Sequence, residues 1–69
     1  MSAPSTLITK ANYWPDERAL ELSFVSGRRY LYLGVPSTIA DGFALAPSKG
    51  EYFNYMIKGR FTCHELAAA

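Results

Sequence analysis

An alternation of apolar and polar side chains on either side of a Ser-Gly pair constrains the fold of this chain more than any other feature. Residues 19–25 place leucine or phenylalanine at every second position, which is the pattern of a strand with one buried face. Ser26-Gly27 is typical of a tight turn, and residues 28–33 return with a β-prone composition. The two segments therefore predict an antiparallel β-hairpin.

The length of this turn decides which way Tyr30 and Tyr32 point, because a register shift of one residue reverses every side chain. With a two-residue loop, Leu22 faces Leu31, and both tyrosines form a solvent-facing aromatic platform. With a three-residue loop, in which Gly27 adopts the left-handed conformation of a bulge, Leu22 faces Tyr30 and both rings point into the core. The residues alone leave both registers open.

Further segments flank the hairpin. Residues 6–13 are rich in β-branched and aromatic side chains and predict a first strand. From Pro36, in the first turn of a helix, the apolar spacing becomes helical and continues to Pro47, which ends this helix. Gly42 is expected to weaken the helix by about 1 kcal/mol relative to alanine.

A second helix is predicted between Ser48 and Gly59. Ser48 and Glu51 match a capping box, and Gly59 suits a helix C-cap. Residues 60–66 have the composition of a short final strand or a tail, and residues 1–5 and 67–69 are predicted to be disordered. We therefore predict a single α+β domain over residues 1–69. It comprises a three-stranded antiparallel meander, two short helices packed on one face, and a short C-terminal strand or tail.

Composition narrows the classes of function. The 69 residues carry a formal net charge of +1, which provides no global electrostatic footprint for nucleic acid or an anionic membrane. Cys63 is the single cysteine, so a disulfide within the chain and a metal site built on several thiolates are excluded. No apolar stretch approaches the ~20 residues that a membrane span requires. We expect a cytoplasmic protein with no membrane partner and no cofactor.

No residue pattern predicts catalysis. Cys63 and His64 are neighbours that would point to opposite faces of a strand, which disfavours a nucleophile–base pair or shared metal ligation. Asp16, Glu17 and Glu21 lie in or near a turn without a paired carboxylate in an evident pocket. A domain of this size has little room for a ligand cleft of about 300 Å³. We expect no enzymatic activity.

Two sequence blocks resemble the KTSC domain, a family named for the C-terminus of lysyl-tRNA synthetase. The resemblance runs from about Ile8 to Phe61. It is carried by the following residues: Phe24, Gly27, Tyr30, Tyr32, Val35, Pro36, Ser48, Lys49, Gly50, Phe53, Asn54, Ile57 and Arg60. It implies a small α+β module of unestablished function, found alone in bacterial and phage proteins or attached to a synthetase. In the family the position between the tyrosines is often charged, which implies tyrosines turned inward and the three-residue loop.

Two hypotheses of function follow. The synthetase context of the family suggests a small non-catalytic module that binds RNA or tRNA. In that case basic side chains contact phosphates and tyrosines stack on bases, and the residues expected to do so are Arg28, Arg29, Lys49, Arg60, Tyr30, Tyr32 and Tyr52. For Lys49 the competing role is structural, since Ser48 already caps that helix.

The alternative is a module for protein interaction or self-association through exposed apolar side chains. The residues expected to form such a surface are Trp14, Leu31, Leu33, Tyr55 and Met56. The sequence departs from the family pattern at Trp14, Tyr55, Met56 and Phe61. The extra apolar surface from these departures is expected to mark a partner site.

Overall fold

The computed structural model describes residues 8–66, in which four strands form one antiparallel sheet in chain order. The strands are β1 (Ile8–Trp14), β2 (Ala19–Phe24), β3 (Arg29–Leu33) and β4 (Thr62–Leu66). The predicted α+β class and meander are confirmed, and the C-terminal segment is a strand rather than a tail. Residues 6 and 7 of the predicted first strand, and the ends predicted to be disordered, lie outside the described residues.

The turn between β2 and β3 contains three residues. The Phe24 N–H donates to the Arg28 carbonyl oxygen at 2.9 Å, which closes the loop around residues 25–27. Gly27 has φ 95°, in the region that favours glycine. Leu22 lies opposite Tyr30, as the three-residue loop requires. The register implied by the family resemblance is therefore confirmed.

Two helical segments pack on one side of the sheet. They are α1 (Ser37–Leu45) and α2 (Lys49–Tyr52), and α2 continues as a π-helical turn (Phe53–Ile57). The Lys58 N–H donates to the Phe53 carbonyl oxygen, five residues back, at 2.8 Å. The predicted second helix therefore ends in a π-helical turn instead of an α-helical one.

The helix ends follow the sequence signals with two differences. Pro36 precedes α1 at the N-cap position rather than lying in its first turn. Ser48 Oγ accepts a hydrogen bond from the Glu51 N–H at 3.3 Å, which is one half of the predicted capping box. The reciprocal bond from the Glu51 carboxylate does not form within residues 8–66. Gly59 has φ 75° and follows the π-helical turn as the predicted C-cap glycine.

The core lies between the helical layer and one face of the sheet. Its buried members are Leu20, Leu22, Tyr32, Val35, Phe43 and Ile57. Because side chains alternate along a strand, residues between these positions point to the opposite side. That side, called the outer face below, carries Trp14, Glu21, Arg29, Leu31 and Leu33. The fold thus leaves one complete face of the sheet outside the core.

Candidate interaction surfaces

The three tyrosines predicted to stack on bases all pack within the domain. Tyr32 is only 5% exposed. Tyr30 is half-buried, and its ring meets that of Phe24 edge to face at 5.6 Å between centroids. The Tyr52 hydroxyl donates to the Ile39 carbonyl oxygen at 2.9 Å. The predicted stacking platform is therefore part of the core and of its margin, and stacking by Tyr32 requires the core to open.

The two hairpin arginines each face a carboxylate. Arg29 Nη1 lies 3.0 Å from Glu21 Oε2 on the outer face, and the Glu21 side chain is 13% exposed. Arg28 Nε lies 3.9 Å from Glu65 Oε2, and both side chains are exposed. The Tyr30 hydroxyl, and secondarily Glu65, raise the pKa of Arg28 above its ordinary value. Both arginines are charged, but their nearest acidic neighbours offset that charge locally.

Lys49 and Arg60 bond the backbone of the helical layer. Lys49 Nζ donates to the carbonyl oxygens of Ala44 at 3.0 Å and Ala46 at 2.7 Å, where it satisfies groups at the end of α1. Arg60 Nε donates to the Tyr55 carbonyl oxygen at 2.8 Å. These cations lie in the helical layer, on the opposite side of the sheet from Arg29. The structure does not bring the predicted phosphate contacts together on one surface.

The buried hydroxyl of Tyr32 meets the last strand. Tyr32 lies opposite Cys63, whereas His64 lies opposite Leu31 on the other face. Burial raises the pKa of the Tyr32 hydroxyl above its usual range, and the Cys63 thiol adds to this effect. The side chains of Cys63 and His64 therefore lie on opposite faces of the sheet, as expected from their adjacent positions in a strand.

Tyr32→Phe is expected to reduce the loss of stability at alkaline pH. In the unfolded chain this hydroxyl ionises near pH about 10, whereas the folded chain retains the proton at higher pH because the pKa is raised. The contribution of this hydroxyl to the free energy of unfolding is therefore fully present below pH about 10. It declines at higher pH by up to about 1.4 kcal/mol per pH unit. Urea unfolding at about pH 8 and about pH 11 measures the change. An unchanged difference in the variant would assign the alkaline loss to other groups.

The exposed apolar side chains fall on two surfaces rather than one. Trp14, on the outer face, is 43% exposed, whereas Leu31 and Leu33 on the same face are half-buried and less accessible than predicted. Tyr55 and Met56 are 71% and 37% exposed and lie on the helical layer. The sheet therefore separates the members of the predicted interaction surface.

Two exposed apolar residues were missed. Leu45 is 83% exposed at the end of α1, and Val25 is 64% exposed in the hairpin turn. Leu45 lies off the helical stripe formed by Ile39, Phe43 and Ala46, so its position relative to that stripe indicates that it is exposed. The exposure of Val25 follows from the three-residue loop, in which it is the first residue.

A groove lies between the α1–α2 connection and the exposed side of the second helix. We call it the helical groove, and it is lined by Ala46, Pro47, Ser48, Glu51, Tyr52, Tyr55 and Met56. Its cavity volume is about 310 Å³. The expectation that so small a domain lacks a cleft of this size was too strict, because the groove is open at the surface instead of enclosed in the core.

Other classes of site find no support within the described part of the chain. Among residues 8–66, no three His, Cys, Asp or Glu side chains are grouped so that they could hold a metal ion. The helices in the same range are too short and too polar to cross a membrane. The candidate sites are therefore the outer face and the helical groove.

Comparison with known proteins identifies close relatives. The sequence pattern of the KTSC domain matches residues 4–61. The chain is 40% identical over 62 residues to a lysine–tRNA ligase of Nostoc sp., covering 90% of this chain but only 11% of the ligase. It is 40% identical over 57 residues to a protein of Tsukamurella paurometabola, covering 83% of this chain and 85% of that protein.

A solved structure shares the whole fold. The crystal structure of a KTSC domain protein from Yersinia pestis superposes with a TM-score of 0.88 at 39% sequence identity. The superposition covers 97% of this chain and 92% of the other. The family pattern spans most of the sequence, and the fold is that of a KTSC protein of similar length, so this chain belongs to the KTSC domain family.

Proposed function

We propose that this KTSC domain is a non-catalytic protein-interaction module that self-associates through its outer face. The observation that carries the proposal is the position of Trp14. It is 43% exposed on a sheet face that no helix of residues 8–66 covers. Leu31 and Leu33 lie on the same face, on β3, which β2 separates from the strand of Trp14. Tryptophan is among the side chains most enriched at the energetic centres of protein interfaces.

The charges of the outer face favour a protein partner over a nucleic acid. Its arginine, Arg29, lies 3.0 Å from Glu21, so the pair contributes little net charge. Affinity for nucleic acid comes largely from unopposed cations that displace counterions from phosphates. The outer face also carries Lys10, opposite Ser23, but one lysine beside an ion pair is a weak footprint for phosphates. A face of this kind, with apolar side chains and little net charge, can instead pair with its own copy. Symmetric pairing of one patch is the commonest way in which soluble chains associate.

The non-catalytic part of the proposal rests on the placement of reactive groups. Cys63 and His64 point to opposite faces of β4, which separates the thiol from the imidazole. Glu21, the carboxylate of the outer face, is engaged with Arg29 at 3.0 Å. Binding, rather than bond making, is the chemistry that these surfaces support.

Self-association is testable with the fluorescence of Trp14, the single tryptophan of the chain. Raising the protein concentration is expected to shift the Trp14 emission to shorter wavelength while sedimentation equilibrium records a rising mass. Leu31→Lys should abolish both changes, because it places a cation within the patch yet opposite Glu21, where the monomer tolerates it. Leu45→Lys is the matched control on an 83% exposed leucine away from this face, and should change neither.

A monomer with unshifted emission up to near-millimolar concentration would refute self-association. The same result from Leu31→Lys and the unchanged chain would show that the contact lies elsewhere. Circular dichroism of each variant establishes that the fold is retained.

RNA binding is the second candidate, and one observation favours it. Three relatives are named lysine–tRNA ligases, proteins that act on tRNA, and each contains a region 36–40% identical to this chain. Arg28, whose side chain is 65% exposed, is more accessible to a phosphate than Arg29, whose side chain is 37% exposed. Anisotropy titrations with tRNA at two salt concentrations test this. Binding that weakens with salt and is reduced in Arg28→Ala would support it, and absence of binding at low salt would exclude it.

A further inference from the structure

The helical groove is a second surface, independent of the outer face. One wall is the α1–α2 connection at Ala46 and Pro47, and the other is formed by Tyr52, Tyr55 and Met56. Tyr55 is 71% exposed and Met56 is 37% exposed, so two large apolar side chains stand together in solvent beside a concave surface. Single exposed apolar residues are ordinary, whereas a cluster at a groove marks a place where a partner is held.

The backbone beneath the groove is unusual. The turn from Phe53 to Ile57 is π-helical, a geometry that is rare and is frequently found at functional sites. Its two ends are anchored, because Phe53 packs on Tyr32 at 5.8 Å between ring centroids and Ile57 is fully buried. The intervening residues 54–56 are all exposed. The π turn therefore holds Tyr55 and Met56 outward while keeping both ends in the core.

Tyr52 gives the groove a rigid wall. Its hydroxyl donates to the Ile39 carbonyl oxygen at 2.9 Å, and its ring meets Phe43 edge to face at 6.0 Å. An aromatic wall that is held before binding loses little conformational entropy when a ligand arrives. The wall of the groove is thus preorganised at Tyr52, and the exposed ring of Tyr55 extends the same wall.

The charge of the groove indicates the charge of its occupant. Among the described residues that line the groove, Glu51 is the one with a carboxylate, and none has a basic side chain. Its carboxylate forms no ion pair in residues 8–66. Lys49 does not neutralise it, since Lys49 Nζ is bonded to the Ala44 and Ala46 carbonyl oxygens. An occupant that carries a cation beside an apolar segment would complement this arrangement.

The dimensions of the groove distinguish an extended peptide from a helix. About 310 Å³ is at the lower end of ligand-pocket volumes and accommodates a few side chains. A bound helix needs anchor positions along two turns, which exceeds the reach of residues 52–56. Grooves lined by aromatic side chains are instead suited to proline-rich segments, whose extended conformation is already formed before binding.

We propose that the helical groove binds an extended, proline-rich peptide segment that carries a lysine or arginine. The prolines pack between Pro47 and the rings of Tyr52 and Tyr55, and the cation pairs with the Glu51 carboxylate. This site goes beyond self-association through the outer face, and neither depends on the other.

The test is an NMR titration of the ¹⁵N-labelled full chain with the synthetic peptide APPLPR. Fast-exchange shifts are expected at Glu51, Tyr55 and Met56. Tyr55→Ser, at a side chain that is 71% exposed, should weaken binding by about tenfold or more without unfolding the domain. Glu51→Gln should weaken APPLPR several-fold and leave the neutral peptide APPLPQ unchanged, because only the cation pairs with the carboxylate.

Controls separate this proposal from the outer face. Leu31→Lys should bind APPLPR as the unchanged chain does, and Tyr55→Ser should retain any concentration-dependent shift of Trp14 emission. Absence of shifts at the groove up to millimolar APPLPR, or equal binding of the acidic peptide APPLPE, would overturn the proposal. Shifts at Tyr55 that depend on protein concentration without peptide would assign the groove to a second copy of this chain and would also overturn it.

Discussion

Replacing Ile57 with alanine is expected to lower the free energy of unfolding by about 2–5 kcal/mol, the range for removing a large buried aliphatic side chain. Ile57 is 0% exposed and belongs to the core cluster between the helical layer and the sheet. Stability of about 0.05–0.15 kcal/mol per residue implies roughly 3–10 kcal/mol for a chain of this length. The substitution therefore removes a large share of the total, and a urea titration followed by circular dichroism measures it.

Met56→Ala is the matched control for this prediction. Met56 is the preceding residue in the same π-helical turn but is 37% exposed, so its truncation should cost less than about 1 kcal/mol. If Ile57→Ala unfolds the chain completely, Ile57→Val provides a measurable step of about 0.5–1.5 kcal/mol. Equal losses at positions 56 and 57 would contradict the orientation of the π turn, on which the helical groove depends.

Gly42→Ala is expected to destabilise the domain by about 1–3 kcal/mol, although alanine is the better helix former by about 1 kcal/mol. A Cβ atom on Gly42 would overlap the Tyr52 hydroxyl and lie 2.9 Å from its Cζ atom. The ring has little freedom to move, because its hydroxyl is bonded to the Ile39 carbonyl oxygen. Urea unfolding of the variant measures the loss, and an increase in stability would contradict this packing.

A double-mutant cycle assigns the loss to the close approach. Tyr52→Phe removes the hydroxyl that meets the new methyl group, so Gly42→Ala should cost less in that background than in the unchanged chain. Equal costs in both backgrounds would place the strain elsewhere. The interpretation of Gly42 as a weak point of the helix was therefore incomplete. Within the folded domain, glycine allows the second helix to approach α1 closely enough to fix Tyr52.

The local signals in the sequence were reliable where a short segment decides its own structure. The alternation in residues 19–25 identified β2, and the glycines at 27 and 59 both have the positive φ that their predicted roles require. Ser48 caps its helix as predicted. Periodicity and turn chemistry act over a few residues, so they can be read without knowing the partner segment.

The site residues were harder to interpret because their partners are distant in sequence. Lys49 was a candidate phosphate contact, yet its ammonium bonds the end of α1, and Arg29 faces Glu21 across the hairpin. The extra residue in the turn from Phe53 to Ile57 left no pattern distinct from an α-helix. These features depend on which backbone and side-chain atoms the tertiary packing brings within hydrogen-bond distance.

The order of strands and helices, the position of each turn and the family resemblance can all be read from the amino-acid sequence. Which side of each element faces the core depends on the tertiary packing. Tyr30 and Tyr32 point toward the core because the three-residue loop sets the register with β2, and helices then cover that face. Trp14 and Tyr55 remain accessible on opposite sides of the sheet because the single helical layer is packed against one face. Exposure depends on what packs against a residue, and the composition of β3, apolar on both faces, does not say which face the helices cover.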